Sequence, residues 1–248
     1  AKERLPVVIA FHGMTESKAG PDKGYRAWVD DYGLDKAYEA LLIGKLGESA
    51  FGGLVRPAEL ARFNAELAAQ PYRGLFVVGV YTPNLNADVE SHPERIDAFA
   101  KWVALKLVPK IRDTFPIADA ADRKVGVDGV SLGGMVALEV GLRYPDVFGA
   151  VGSMQPAVRG REAELAQKLA DAGGKAPQRI RLLSSDKDPL LPVTKKLSEE
   201  LRQRKVAHTL VVTPGGHDYA FNRGPGAMEL LHFHDQALRA VPQSGSAP

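Results

Sequence analysis

Short apolar runs and longer amphipathic stretches alternate along this chain. The apolar runs fall at 5–11, 75–81, 124–128, 149–153, 179–184 and 209–213. None alternates cleanly between apolar and polar, as expected for strands covered on both faces. Between them lie helical patterns at roughly 27–46, 57–70, 93–115, 132–144, 161–172, 194–205 and 225–240. Strand and helix in turn predict a mostly parallel sheet of about six or more strands, with helices on both faces.

One helix start is well marked. Ser91-His92-Pro93-Glu94 sets a capping serine three residues before a glutamate, with proline at the first helical position. Ile96, Phe99, Val103, Leu107 and Ile111 follow at helical spacing, and Pro109 inside that pattern should kink the helix. Residues 14–74 break the rhythm. A strand–helix–strand connection needs about 30 residues, and this one takes around twice that. The whole chain reads as a single domain, 1–248, with a helical insertion at about 15–70. Either that insertion covers the site as a lid or cap, or it merely extends a surface; because it leaves directly from a strand end, bordering the pocket is favoured.

Composition narrows the classes. The 248 residues are 45% hydrophobic and 25% charged, and the formal net charge of +2 comes from basic residues scattered among acidic ones. No electrostatic case for nucleic acid or an anionic membrane follows. The longest apolar runs are strand-sized and too short to span a bilayer. With no cysteine, neither a disulfide nor a thiolate metal site nor a cysteine nucleophile is available. Residues 1–4 are polar and a core strand follows at once, so no signal peptide is expected and the chain reads as a mature or trimmed form. The tail "PQSGSAP" is a polar, flexible end. Compartment and oligomeric state are left open.

Candidate chemistry begins at residues 128–135, "DGVSLGGM", where Ser131 sits in a G-x-S-x-G pentapeptide. The pentapeptide alone is weak. Its context is stronger, because a strand precedes it and a helical run starts at Leu132, the setting of a sharp turn that lifts a serine Oγ from a sheet edge. Gly129 and Gly133 then have a steric purpose, since side chains there would meet neighbouring backbone. Gly134 is expected to permit close helix–sheet packing.

A serine needs a base. His232 and His234, two apart in a helical pattern, face different ways. His92 belongs to a helix start and His208 leads into a strand. His12 ends the first strand and reads as a support for the loop after it. His217 follows the last strand in "VVTPGGHDY", which puts it at the same sheet edge as Ser131. The acid that orients it should come from "LLSSDKDPLLP". Asp186 is nearer the strand and suits a turn; Asp188, before Pro189, is favoured, though spacing leaves both open. Backbone N–H groups of Leu132 and of Met14, the latter beside Gly13, are the candidate oxyanion donors. This chemistry needs no cofactor and no metal.

The order Ser131, Asp188, His217 matches the α/β-hydrolase order. Through "LPVVIAFHGM", "GVSLGGMVALEVGLRYPDVFGAV", "SSDKDPLLP" and "PGGHDY", the chain resembles the α/β-hydrolase superfamily and its esterase D-like esterases, relatives of feruloyl and acetyl xylan esterases. The resemblance implies the α/β-hydrolase fold, Asp188 as the acid and His217 as the base. It also implies a small-molecule or carbohydrate-linked ester as substrate. Two strands usual at the family's N-terminus have no counterpart here. Met154, Gln155, Leu190 and Tyr219 adjoin the predicted site and are candidates to line its pocket. The same triad serves peptidases and acyltransferases, and a hydrolase scaffold without catalysis is the rival from another class.

Overall fold

A computed structural model describes residues 4–85, 92–117 and 125–239. Among these described residues six strands form one sheet in the order β2-β1-β3-β4-β5-β6: β1 Val7–Phe11, β2 Phe76–Val80, β3 Val125–Gly129, β4 Ala150–Met154, β5 Arg179–Ser185 and β6 Thr209–Thr213. Every pairing is parallel. All six apolar runs of the sequence became strands. The Ser91 cap and Lys124, the expected first residue of the third strand, lie outside the described residues.

Two apolar layers explain the missing alternation. Val7, Ile9 and Phe11 of β1 point to a core shared with Val125, Val127, Leu132, Val151 and Leu182. Val8 and Ala10 point to a second core with Trp28, Leu41, Phe63, Leu67 and Leu231. Successive side chains of a strand face opposite ways, so a strand buried on both sides is apolar throughout. The first layer is covered by α6 (Pro93–Trp102), α7 (Val108–Thr114), α8 (Leu132–Arg143), α9 (Glu162–Lys175) and α10 (Leu191–Gln203).

Residues 14–70 supply much of the cover of the second layer. They form α1 (Met14–Ala19), α2 (Pro21–Gly24), α3 (Ala27–Asp30), α4 (Leu34–Ile43) and α5 (Pro57–Ala69). The single helix expected at 27–46 is two, because Gly33 adopts φ 61° and breaks the run. After β6 come the short α11 (Tyr219–Phe221) and α12 (Ala227–Leu238).

The kink expected at Pro109 takes a specific form. A π-helical segment, Val103–Leu107, joins α6 to α7 just ahead of that proline. A second, Asn222–Gly226, contains Pro225 and leads into α12. Proline cannot donate to the carbonyl four residues back, and a wider turn accommodates that missing bond.

The topology also chooses the place for a site. The chain leaves β1 for β2 on one side, whereas β3 lies on β1's other side and runs on to β4. A crevice opens beyond the carboxyl ends of strands where connections diverge in this way. Phe11 and Gly129, the last residues of β1 and β3, are register partners there. The loops carrying Met14 and Ser131 therefore start side by side.

Candidate active site

Ser131 stands between β3 and α8 with φ 58° and ψ −114°. Positive φ is costly for a residue with a Cβ, on the order of 1–3 kcal/mol. The surrounding backbone over-determines it. The Ser131 N–H donates to the Met154 carbonyl at 2.9 Å, and its own carbonyl accepts from Met135 and Ala157. The expected role of the glycines is visible in distances. A Cβ on Gly129 would lie 2.3 Å from the Gly133 carbonyl oxygen, and one on Gly133 would lie 2.2 Å from that of Phe11. On Gly134 it would lie 2.6 Å from the Met154 oxygen, so α8 packs directly on the sheet end.

Three side chains from three strand ends meet. His217 Nε2 is 3.1 Å from Ser131 Oγ, and His217 Nδ1 is 3.0 Å from Asp188 Oδ1. A carboxylate only accepts, so Nδ1 carries the imidazole proton and Nε2 is left to accept from the serine hydroxyl. Asp188 is buried and also accepts from Ser184 Oγ at 2.7 Å and from the Leu190 N–H at 2.8 Å. Burial pushes its carboxyl up, but these bonds, led by that of His217, outweigh it and hold the pKa below the usual carboxylate value. Asp186 does something else: it pairs with Arg56 at 2.9 Å and accepts the Gly215 N–H, bracing the β6 loop.

That loop is held from below as well. Gln155 Nε2 donates to the Gly216 carbonyl at 2.7 Å, and Ser185 Oγ donates to the same oxygen at 2.8 Å. His12 supports the opposite loop, as expected. Its Nε2 accepts the Thr82 N–H at 2.8 Å, and its Nδ1 lies 2.9 Å from the Gly13 carbonyl. Accepting at Nε2 makes Nδ1 the donor to Gly13. Burial lowers the pKa of this ring, which keeps it neutral in that role.

Met14 and Leu132 are each the first residue of a helix. N–H groups of a first helical turn have no acceptor within their own helix, and they sit at the positive end of its dipole. Gly13 is different: its N–H donates to Tyr32 Oη at 3.0 Å.

A cavity of about 360 Å³ opens over Ser131 and His217, and Met14 is on its wall. Of the four residues expected to line the pocket, Tyr219 does so. Met154 and Gln155 are wholly buried. The Met154 side chain packs in the second core near Gly226, and Gln155 is committed to Ser185 and Gly216. Leu190 packs half-buried on the first core. Adjacency in sequence misled here, because β4 is central and its end is covered by the elbow and by α12.

The walls also hold residues that sequence reasoning passed over. Glu16 Oε2 accepts from Tyr32 Oη at 2.6 Å, and Oε1 accepts from Tyr219 Oη at 2.7 Å. The bond to Glu16 and partial burial push Tyr219 up to about 12. Glu16 was legible as a first-turn helix acid, but its two tyrosines are far away in sequence. Among the described residues no cluster of histidine, cysteine and carboxylate suits a metal ion, and no helix is long and apolar enough to cross a membrane.

Sheet order, elbow and strand-end residues define an α/β-hydrolase fold, and the proteins this chain is similar to are esterases. Residues 80–191, a little under half of the chain, match the family model described as "Esterase: Putative esterase". Iron(III) enterobactin esterase of Escherichia coli strain K12 is 32% identical over 152 residues, 55% of this chain and 38% of that protein. The chain thus spans well under half the length of the curated relatives it matches. A ferulic acid esterase structure superposes with TM-score 0.63 at 14% identity, over 95% of this chain and 87% of that one. Enterobactin esterase from Shigella flexneri, in the presence of enterobactin, superposes with TM-score 0.60 at 21% identity, over 96% of this chain and 53% of that one.

Proposed function

We propose that this protein is a serine hydrolase that cleaves carboxylic esters through Ser131, His217 and Asp188. One observation carries the reading: the unbroken hydrogen-bond series from Asp188 through His217 to Ser131 at the floor of an open cavity. The esterase names of the matched relatives support it.

In this mechanism His217 Nε2 takes the hydroxyl proton as Ser131 Oγ attacks the ester carbonyl carbon. The carbonyl π-bond opens and its oxygen becomes an oxyanion, held by the N–H groups of Leu132 and Met14. Asp188 keeps the imidazole in the required tautomer and stabilises the imidazolium. Collapse breaks the ester C–O bond, and the proton on Nε2 passes to the departing alcohol. An acyl-enzyme remains. Water then loses a proton to His217 and attacks the same carbon, releasing the acid and restoring Ser131.

The test is hydrolysis of short p-nitrophenyl esters together with labelling by a fluorophosphonate. Turnover and labelling that both depend on Ser131 are expected. Absence of turnover over all acyl lengths, with no labelling, would remove the proposal.

A further inference from the structure

The cavity over Ser131 is lined asymmetrically. Glu16 and Asp218 bring carboxylates to its wall and Tyr32 and Tyr219 bring hydroxyls, while among the described residues no lysine or arginine lines it. The guanidinium of Arg223 lies outside, 5.6 Å from the Tyr219 ring centroid. There its Nε donates to the Asp31 carbonyl at 2.7 Å, and the residue lines a neighbouring cavity instead.

The Glu16 charge is both held in place and uncancelled. Each carboxylate oxygen takes one tyrosine hydroxyl, and Tyr32 is itself fixed by the Gly13 N–H. The side chain cannot rotate away when a ligand arrives without breaking both bonds. Among the described residues no lysine, arginine or histidine forms an ion pair with Glu16. Hydroxyl donors spread a negative charge but leave its sign. Glu16 follows Met14 by two positions, so this charge sits on the same helical turn as a proposed oxyanion donor.

We infer that Glu16 makes the site discriminate substrates by charge, accepting esters whose group beside Ser131 is uncharged or cationic, an ammonium above all, and rejecting esters with an anion there. The inference rests on the ester-hydrolase reading and adds to it a substrate class. The physical ground is proximity. In a cavity of about 360 Å³, any bound charge lies within about one Debye length of Glu16, so salt screens the pair incompletely. A unit charge partly shielded from water then shifts kcat/KM on the order of tenfold.

Acetylcholine and 3,3-dimethylbutyl acetate form the critical pair, because they share shape and leaving-group position and differ in charge. An acetate ester of a carboxyalkyl alcohol of similar length completes the set. Hydrolysis by the purified chain should run in the order cationic, neutral, anionic. A cation-to-anion ratio in kcat/KM of about tenfold or more is expected at low salt, shrinking as salt is added. In Glu16→Gln the cation-to-neutral ratio should fall toward one. A ratio within one enzyme cancels any general loss of activity that the substitution causes.

A cation-to-neutral ratio of one or below in the wild type, or a ratio unchanged in Glu16→Gln, overturns the inference while leaving ester hydrolysis standing. No hydrolysis of all three esters, with no fluorophosphonate labelling, removes the hydrolase reading and this inference with it.

Discussion

The imidazole of His217 lies 3.1 Å from the hydroxyl of Ser131, although 86 positions separate them in the chain. Parallel strands make this contact. β3 and β6 point the same way, so the loops that follow them open at one edge of the sheet. If Ser131 is the nucleophile, Ser131→Ala should lower kcat/KM by about 10⁴-fold or more and abolish fluorophosphonate labelling, with an unchanged circular dichroism spectrum. Ser131→Gly should be equally inactive and at least as stable as the wild type in urea, because glycine relieves the strain of φ 58°.

Asp188 and Asp186 are separated by what they touch. Asp188→Asn should cost about 10³- to 10⁴-fold in kcat, since an amide facing Nδ1 favours the wrong tautomer. Asp186→Asn loosens a half-exposed pair with Arg56, worth less than about 1 kcal/mol, and should leave kcat within a few-fold. Steady-state kinetics of the two variants checks the ranking, and the reverse order would remove Asp188 from the proposed role.

Acid should destabilise the protein well above the carboxylate range. His12 and His234 are both fully buried, and desolvation, ahead of their hydrogen bonds, depresses both pKa values. An unfolded histidine takes a proton near about 6.5. Below that pH the unfolded state binds more protons than the folded one, so stability falls as pH drops toward the folded pKa values. Above about pH 7 the contribution is complete. Each ring that stays neutral costs about 1.4 kcal/mol per pH unit in that window. Urea unfolding between pH 7.5 and 5 measures the slope, and His12→Asn should reduce it.

Glycines of this chain should split into two classes. Gly133→Ala sets a Cβ 2.2 Å from a backbone oxygen, so the elbow must shift; a loss of several kcal/mol, or no soluble protein, is expected. Gly173 lies within α9, and a Cβ added there would meet nothing within 4 Å. Gly173→Ala should therefore stabilise by about 0.5–1 kcal/mol, read as a higher urea midpoint with unchanged activity.

The chain alone determined the six strands, because burial on both faces leaves uninterrupted apolar runs that no helix of that length would need. It also determined the elbow, through glycines that are sterically required, and the order in which Ser131, Asp188 and His217 occur. Which of Asp186 and Asp188 faces His217 was set by tertiary structure, since two carboxylates two residues apart differ only in which loop each reaches. The same holds for Met154 and Gln155, expected on a cavity wall and found beneath it, and for the meeting of Glu16 with Tyr32 and Tyr219. Periodicity reports which face a residue presents to its own element. Contacts between loops depend on strand order and on the path of the connections, and local sequence carries no measure of either.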